Sequence, residues 1–212
     1  MLEWLGWVVV AFGALFVVVE PLGLVPLFLS LTKGRSPREV AAIARRAVLV
    51  GAGVLVAFTL VGRLLLDVLG IQLDAFRAAG GLLLALTALD MLRGKPAHAS
   101  PCRCSSRELE PEGDARDVAI VPLAMPLLTG PGAMGTVLAL IARDGGGPPV
   151  TLAVLVAIGL VFLVSWLVLR AASVVQRALG QATLTVLARV FGLFLAAIAV
   201  QMVVAGVRGL WA

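Results

Sequence analysis

The chain has 212 residues, 61% of them hydrophobic and only 14% charged, with a formal net charge of +5. So little charge cannot solvate the surface of a water-soluble domain of this size. No basic face exists outside the connections between apolar runs, which argues against a nucleic-acid partner.

Six apolar runs follow one another, at residues 4–31, 47–69, 76–92, 118–142, 150–169 and 190–207. Each is long enough to cross a bilayer core at about 1.5 Å of helix per residue. The first run lacks a basic leader and is too long for a cleaved signal, so it is expected to remain as a span. It contains Glu20, Pro21, Gly23 and Pro26. A charge and two residues without a backbone N–H interrupt the helix there. Glu20 lies 16 residues from Trp4 and 13 from Lys33, which is mid-bilayer.

After the third run comes a polar stretch, residues 94–117, with mixed charges, Pro96 and Pro101, His98, Cys102 and Cys104. It reads as a solvated loop. In a reducing compartment a structural disulfide is not expected. Three ligand types in an unordered loop fall short of a metal site, so neither metal nor cofactor is expected. The fourth run carries Pro122, Pro126 and the stretch Thr129–Gly130–Pro131–Gly132–Ala133, with Thr136 one turn on. Gly130 is 13 residues from both Asp117 and Arg143, so this second interruption sits at the same depth as the first.

The basic residues separate by side. Most of the 17 lysines and arginines fall in the first, third and fifth connections. By the positive-inside rule those connections are cytoplasmic and both termini are outside. Trp4, Trp7 and Trp211 then sit at the outer interface and Trp166 near the inner one.

The stretch Gly81-Leu-Leu-Leu-Ala-Leu-Thr-Ala-Leu-Asp-Met91 can be laid over Gly192-Leu-Phe-Leu-Ala-Ala-Ile-Ala-Val-Gln-Met202, with six of eleven positions identical at an offset of 111. Glu20–Gly23 matches Gly130–Ala133 at an offset of 110. Two anchors at one spacing predict two three-helix halves, residues 1–93 and 118–212, joined by the loop 94–117. An odd number of spans per half inverts the second relative to the first, as in many secondary transporters. The expected fold is therefore an all-α membrane protein of six spans in two inverted repeats, with the first and fourth helices broken. Half-helix N-termini suit a carboxylate and half-helix C-termini a cation. Two breaks meeting at mid-membrane would suit a zwitterionic amino acid.

These segments resemble the MarC family of bacterial inner-membrane proteins, which includes small neutral amino-acid transporters. The resemblance is carried by FVVVEPLGLVPLFLSLT (16–32), FRAAGGLLLALTALDML (76–92), VAIVPLAMPLLTGPGAMGTVL (118–138) and GLFLAAIAVQM (192–202). The family typically has Asp-Pro-x-Gly-Asn in the first break, where this chain has Glu20-Pro21-Leu22-Gly23-Leu24. In the second break Gly135 replaces a threonine and Thr136 remains. The resemblance implies a multi-pass inner-membrane transporter of glycine, alanine and serine class substrates, coupled to protons or sodium.

The candidate substrate and ion ligands are Glu20, Pro21, Gly23, Thr129, Gly130, Pro131, Gly132, Ala133 and Thr136. Glu20 offers three roles: proton carrier, cation ligand, or partner of the substrate ammonium. Asp90 and Gln201, equivalent in the repeat, are secondary candidates; Asp90 also has the spacing to pair with Arg93, and Gln201 to bond between helices. Arg77 and Arg189 read as interfacial anchors or ion pairs. Gly80, Gly81, Ala196, Ala197 and Ala199 read as close-packing positions. No HExxH, GxSxG or Walker motif is present, which argues against an enzyme or a primary pump. The expected partners are an amino acid, a coupling ion and the bilayer; a homo-oligomer fits the same reading. A structural or assembly protein without flux is the competing reading.

Overall fold

The computed structural model describes residues 2–93, 129–142 and 147–211, and every element among them is helical. The loop 94–117 with His98, Cys102 and Cys104, and the first half of the fourth apolar run with Pro122 and Pro126, lie outside the described residues.

The first apolar run forms two helices, α1 (Leu2–Val19) and α2 (Leu24–Leu31), bent by 49° at a four-residue break. A long helix α3 (Pro37–Val68) follows. It starts ten residues before the apolar run because Ser36 and Glu39 form a capping box and Pro37 occupies the first turn. Proline costs nothing there, since that N–H has no helical partner anyway. Ser36→Ala removes one arm of the box and is expected to cost about 1 kcal/mol, read as a lower unfolding temperature of the purified protein in detergent.

Helix α4 (Leu73–Leu92), helix α5 (Pro131–Ala142) and helix α6 (Pro148–Arg170) come next. Pro148 opens α6 111 residues after Pro37 opens α3, the same interval as the repeat. The last helix, α7 (Ala172–Trp211), is broken at Gly180, whose φ of 71° only glycine adopts cheaply. Its membrane-length part is Ala182–Trp211.

Four described helices are long and apolar enough to cross a membrane, and the bent α1–α2 pair makes a fifth. Large apolar side chains such as Leu49, Leu60, Leu64, Leu163, Leu193 and Phe194 point outward. A lipid environment covers such a surface without cost.

The interior divides into two clusters. The larger joins α1, α2, α3, α5, α6 and the first part of α7 (Ala172 and Leu184) around Leu15, Phe28, Ile43, Leu55 and Ile158. The smaller joins α4 and α7 around Leu84, Ala88, Met91, Leu195, Ala199 and Met202. Helices α4 and α7 run antiparallel with almost no side-chain spacing. A Cβ on Gly81 would lie 2.9 Å from the Ala199 carbonyl oxygen and against Met202 and Val203. A Cβ on Gly192 would meet Ala88, Met91 and Leu92. Each set becomes the other on shifting every residue by 111. Burial repeats likewise: Gly81, Leu84, Ala88 and Met91 are buried, as are Gly192, Leu195, Ala199 and Met202.

The small-residue reading holds at Gly80, Gly81 and Ala199, which are buried, but Ala197 is exposed and Ala196 half-buried. Ala197 falls on the outward arc of α7, where residue size does not limit helix approach.

Candidate functional site

The break between α1 and α2 centres on Glu20. Proline at position 21 disfavours a helical conformation for the residue before it. Glu20 takes the left-handed region instead, with φ of 50°, the one non-glycine residue with positive φ among the described residues. Such a backbone costs on the order of 1–3 kcal/mol and persists only where its surroundings enforce it. Glu20 N–H still donates to the Phe16 carbonyl at 3.0 Å, closing α1, and Leu24 N–H donates to the Glu20 carbonyl at 3.4 Å, opening α2. Between them, the amides of Leu22 and Gly23 make no backbone hydrogen bond among the described residues.

The Glu20 side chain is 3% exposed, and its Oε1 has no hydrogen-bond partner among the described residues. A buried, unpartnered carboxyl oxygen is costly and calls for a proton, a cation or a donor from outside the chain. Gly23 shapes the space it occupies: a Cβ there would lie 2.7 Å from Oε1 and 2.8 Å from Cδ. The carboxyl group can swing where a backbone could not, so Gly23→Ala is expected to fold and insert while displacing the Glu20 carboxyl. Normal thermal stability in detergent, with altered reactivity of the Glu20 carboxyl towards a hydrophobic carbodiimide, is the expected pair of measurements.

The second break is described from Thr129 onward. Thr129 and Gly130 are non-helical, Thr129 is 2% exposed, and the Gly130 carbonyl accepts from Ala133 N–H at 2.9 Å and Met134 N–H at 3.2 Å. Pro131 then opens α5 as Pro37 opens α3. Gly132 lies so close to Leu84 that a Cβ would overlap its side chain, and Gly135 packs on the Met202 methyl and on Gly80. The hydroxyl of Thr136, expected as a free ligand, is engaged: it donates to the Gly132 carbonyl at 2.8 Å and approaches Met202 Sδ at 3.6 Å.

Both breaks lie where the two clusters meet. Val19 and Leu24, on either side of Glu20, share the larger cluster with Ala133 and Val137. Val17 and Val18 on one side, and Ala139 on the other, pack against the smaller one.

The secondary candidates sit elsewhere. Asp90 is half-buried and makes no ion pair with Arg93 among the described residues; the pair that forms is Asp74–Arg77 at 3.0 Å. Gln201 is exposed, and it makes no hydrogen bond between helices among the described residues. Nine residues separate each from the glycine that marks the packed face, two and a half turns, so both point away from it. Arg77 does more than anchor: its Nη2 donates to the Ala139 carbonyl at 3.2 Å, tying α4 to α5. Arg189 is exposed. Met202 and Leu84, which close over α5, were not singled out in the sequence, although Met202 ends one arm of the repeat. Among the described residues no three His, Cys, Asp or Glu side chains converge as metal ligands would.

A set of apolar, closely packed helices broken at a buried carboxyl defines an integral membrane protein with a polar feature in its interior. Residues 5–211 match the MarC family of integral membrane proteins, and the chain belongs to that family. It is 38% identical over 208 residues to the UPF0056 membrane protein MJ1677 of Methanocaldococcus jannaschii, covering 97% of this chain and 98% of that one. The UPF0056 membrane protein YvbG of Bacillus subtilis is 33% identical over 97% of this chain and 96% of its own. The UPF0056 membrane protein YhcE of Escherichia coli is 31% identical over 94% of this chain and 91% of its own. No solved structure matches the chain.

Proposed function

We propose that this chain is a secondary transporter of small neutral amino acids, of the glycine, alanine and serine class, working by alternating access with proton or sodium coupling. The observation that carries the reading is the unpartnered Oε1 of Glu20, buried at a helix break. A carboxyl oxygen left without a partner in a membrane interior is functional by default. The substrate ammonium or the coupling ion supplies the missing partner. The amides of Leu22 and Gly23, which make no backbone hydrogen bond among the described residues, and those of Gly130 and Gly132 at the opening turn of α5, offer N–H groups for the substrate carboxylate.

The exchange symmetry of the α4–α7 contact supports two inverted three-helix halves, 1–93 and 118–212, and hence six spans with the fourth broken at Thr129–Ala133. The basic connections support an inner-membrane orientation with both termini outside. Glu20 is too enclosed for substrate to reach it without movement, so the conformation reads as an occluded one. A transporter of this kind is no enzyme and uses no cofactor; its partners are the amino acid, the ion and the bilayer.

The deciding experiment is uptake of glycine, alanine and serine into proteoliposomes, driven in turn by a pH step and a sodium gradient, with leucine as a bulky control. Gradient-dependent accumulation of the small substrates is expected. Flux no greater than in protein-free vesicles under both gradients overturns the reading and leaves the structural or assembly role.

A further inference from the structure

Two cavities of about 320 and 340 Å³ lie end to end between α3 and α6, and Arg45 and Trp166 line both. The first is basic, with Arg38, Arg45 and Arg170 around a floor of Ala41 and Ala42. The second is apolar, running past Val48 and Phe162 to Gly159. We propose that this cleft holds one anionic phospholipid, its phosphate among Arg38, Arg45 and Arg170 and one acyl chain along the apolar groove.

Among the described residues this charge has no acidic partner, and none of their acidic side chains lines either cavity. Glu39, the nearest acidic residue in sequence, is turned to Ser36, whose amide and hydroxyl donate to its Oε2 at 2.8 and 2.7 Å. Arg38 and Arg45 are two turns apart on one face of α3. Arg170 lies over the Trp166 ring at 5.2 Å, which holds its guanidinium at the mouth. The helix dipole accounts for an arginine at the end of α6, but it disfavours Arg38 in the first turn of α3. An anion between the two helix ends compensates that cost. Guanidinium groups suit the oxygens of a phosphate.

The order of residues matches a lipid standing in a leaflet. Along α3 the lining passes from Arg38 and Arg45 to Val48 and Ala52, and along α6 from Arg170 and Trp166 to Phe162 and Gly159. Charge, indole and hydrocarbon follow one another as headgroup, interface and acyl chain do. A free phosphate would use only the upper cavity, and ordinary interfacial anchoring would use neither. The proposal is independent of the transport reading.

The test uses the full chain with Trp166 as its one tryptophan (Trp4→Phe, Trp7→Phe, Trp211→Phe), in vesicles of phosphatidylcholine with increasing phosphatidylglycerol. Brominated acyl chains on one lipid or the other quench Trp166 emission on contact. Brominated phosphatidylglycerol is expected to quench at a much lower fraction than brominated phosphatidylcholine. Each of Arg38→Gln, Arg45→Gln and Arg170→Gln should reduce that preference by roughly five-fold. Gly159→Leu fills the groove, where no atom lies within 4 Å of a new Cβ; it should fold normally and lose the quenching with all arginines intact. Equal quenching by the two lipids overturns the proposal. So does a preference that survives the triple arginine variant, quenching that survives Gly159→Leu, or release of the quench by inorganic phosphate, which would assign the site to a free anion.

Discussion

Glu20→Gln is expected to abolish gradient-driven accumulation while leaving the protein folded and inserted. The substitution keeps the size and hydrogen-bonding capacity of the side chain and removes its ability to change charge. A pH step of one unit is worth about 1.4 kcal/mol per proton, so a carrier coupled to one proton concentrates substrate about tenfold. With glutamine the ratio should fall to about one under either gradient. Exchange of labelled for unlabelled substrate should persist, because exchange need not return an empty, deprotonated carrier. Glu20→Asp should keep partial activity, since it retains the ionisable group. Glu20→Leu should be worse than glutamine for binding by about 1–3 kcal/mol, because it removes the polar group that the substrate ammonium or ion would meet in a buried site. The measurements are substrate accumulation and counterflow in proteoliposomes. Tenfold accumulation by Glu20→Gln would make the residue structural and move coupling to backbone cation sites or to Asp90.

The largest expected effect on stability is at Gly206. A Cβ there would lie 2.5 Å from the Asp74 carbonyl oxygen and 2.7 Å from the Ala78 nitrogen. Both are backbone atoms of α4, so no side chain can rotate away and the helices must part. Gly206→Ala is expected to cost about 1–3 kcal/mol, as overpacked interiors do. Gly53 is the internal control: nothing lies within 4 Å of a Cβ built on it, and it sits inside α3. Gly53→Ala should be neutral or stabilising by up to about 1 kcal/mol, the difference in helix preference. Thermal unfolding of the two variants in one detergent gives the comparison. A loss at Gly53 equal to that at Gly206 would mean that close packing of α4 on α7 does not govern stability.

Much of this architecture can be read from residue order. Pro21 and Gly23 announce the first break because one lacks an N–H and the other tolerates close approach. The repeat registers which residues of α4 and α7 are buried, because equal spacing on two helices presents equal faces. Helix length was harder to read. Apolarity marks the part of α3 in hydrocarbon, whereas Ser36, Pro37 and Glu39 mark where the helix starts. Helix α7 likewise begins at Ala172, well before its apolar run. Sequence equivalence also misled at Asp90 and Gln201, which match in the repeat yet face away from the packed surface. The left-handed backbone of Glu20 and the engaged hydroxyl of Thr136 depend on tertiary surroundings, and local sequence does not encode them.

The mutual contacts of Gly81 and Gly192 have a mechanical meaning. A contact set that maps onto itself when its two helices are exchanged favours neither direction of tilt. In the proposed alternating-access cycle, rocking one way would strain it as much as rocking the other, so such a hinge would be level by construction. Any resting preference for one side of the membrane must then be written in the positions where the exchange fails. Asp90 facing Gln201 in the repeat, and Glu20 facing Gly130, are such positions. In that proposed cycle the Glu20 carboxyl would be a weight on one arm of a balance, and neutralising it would change where the balance comes to rest.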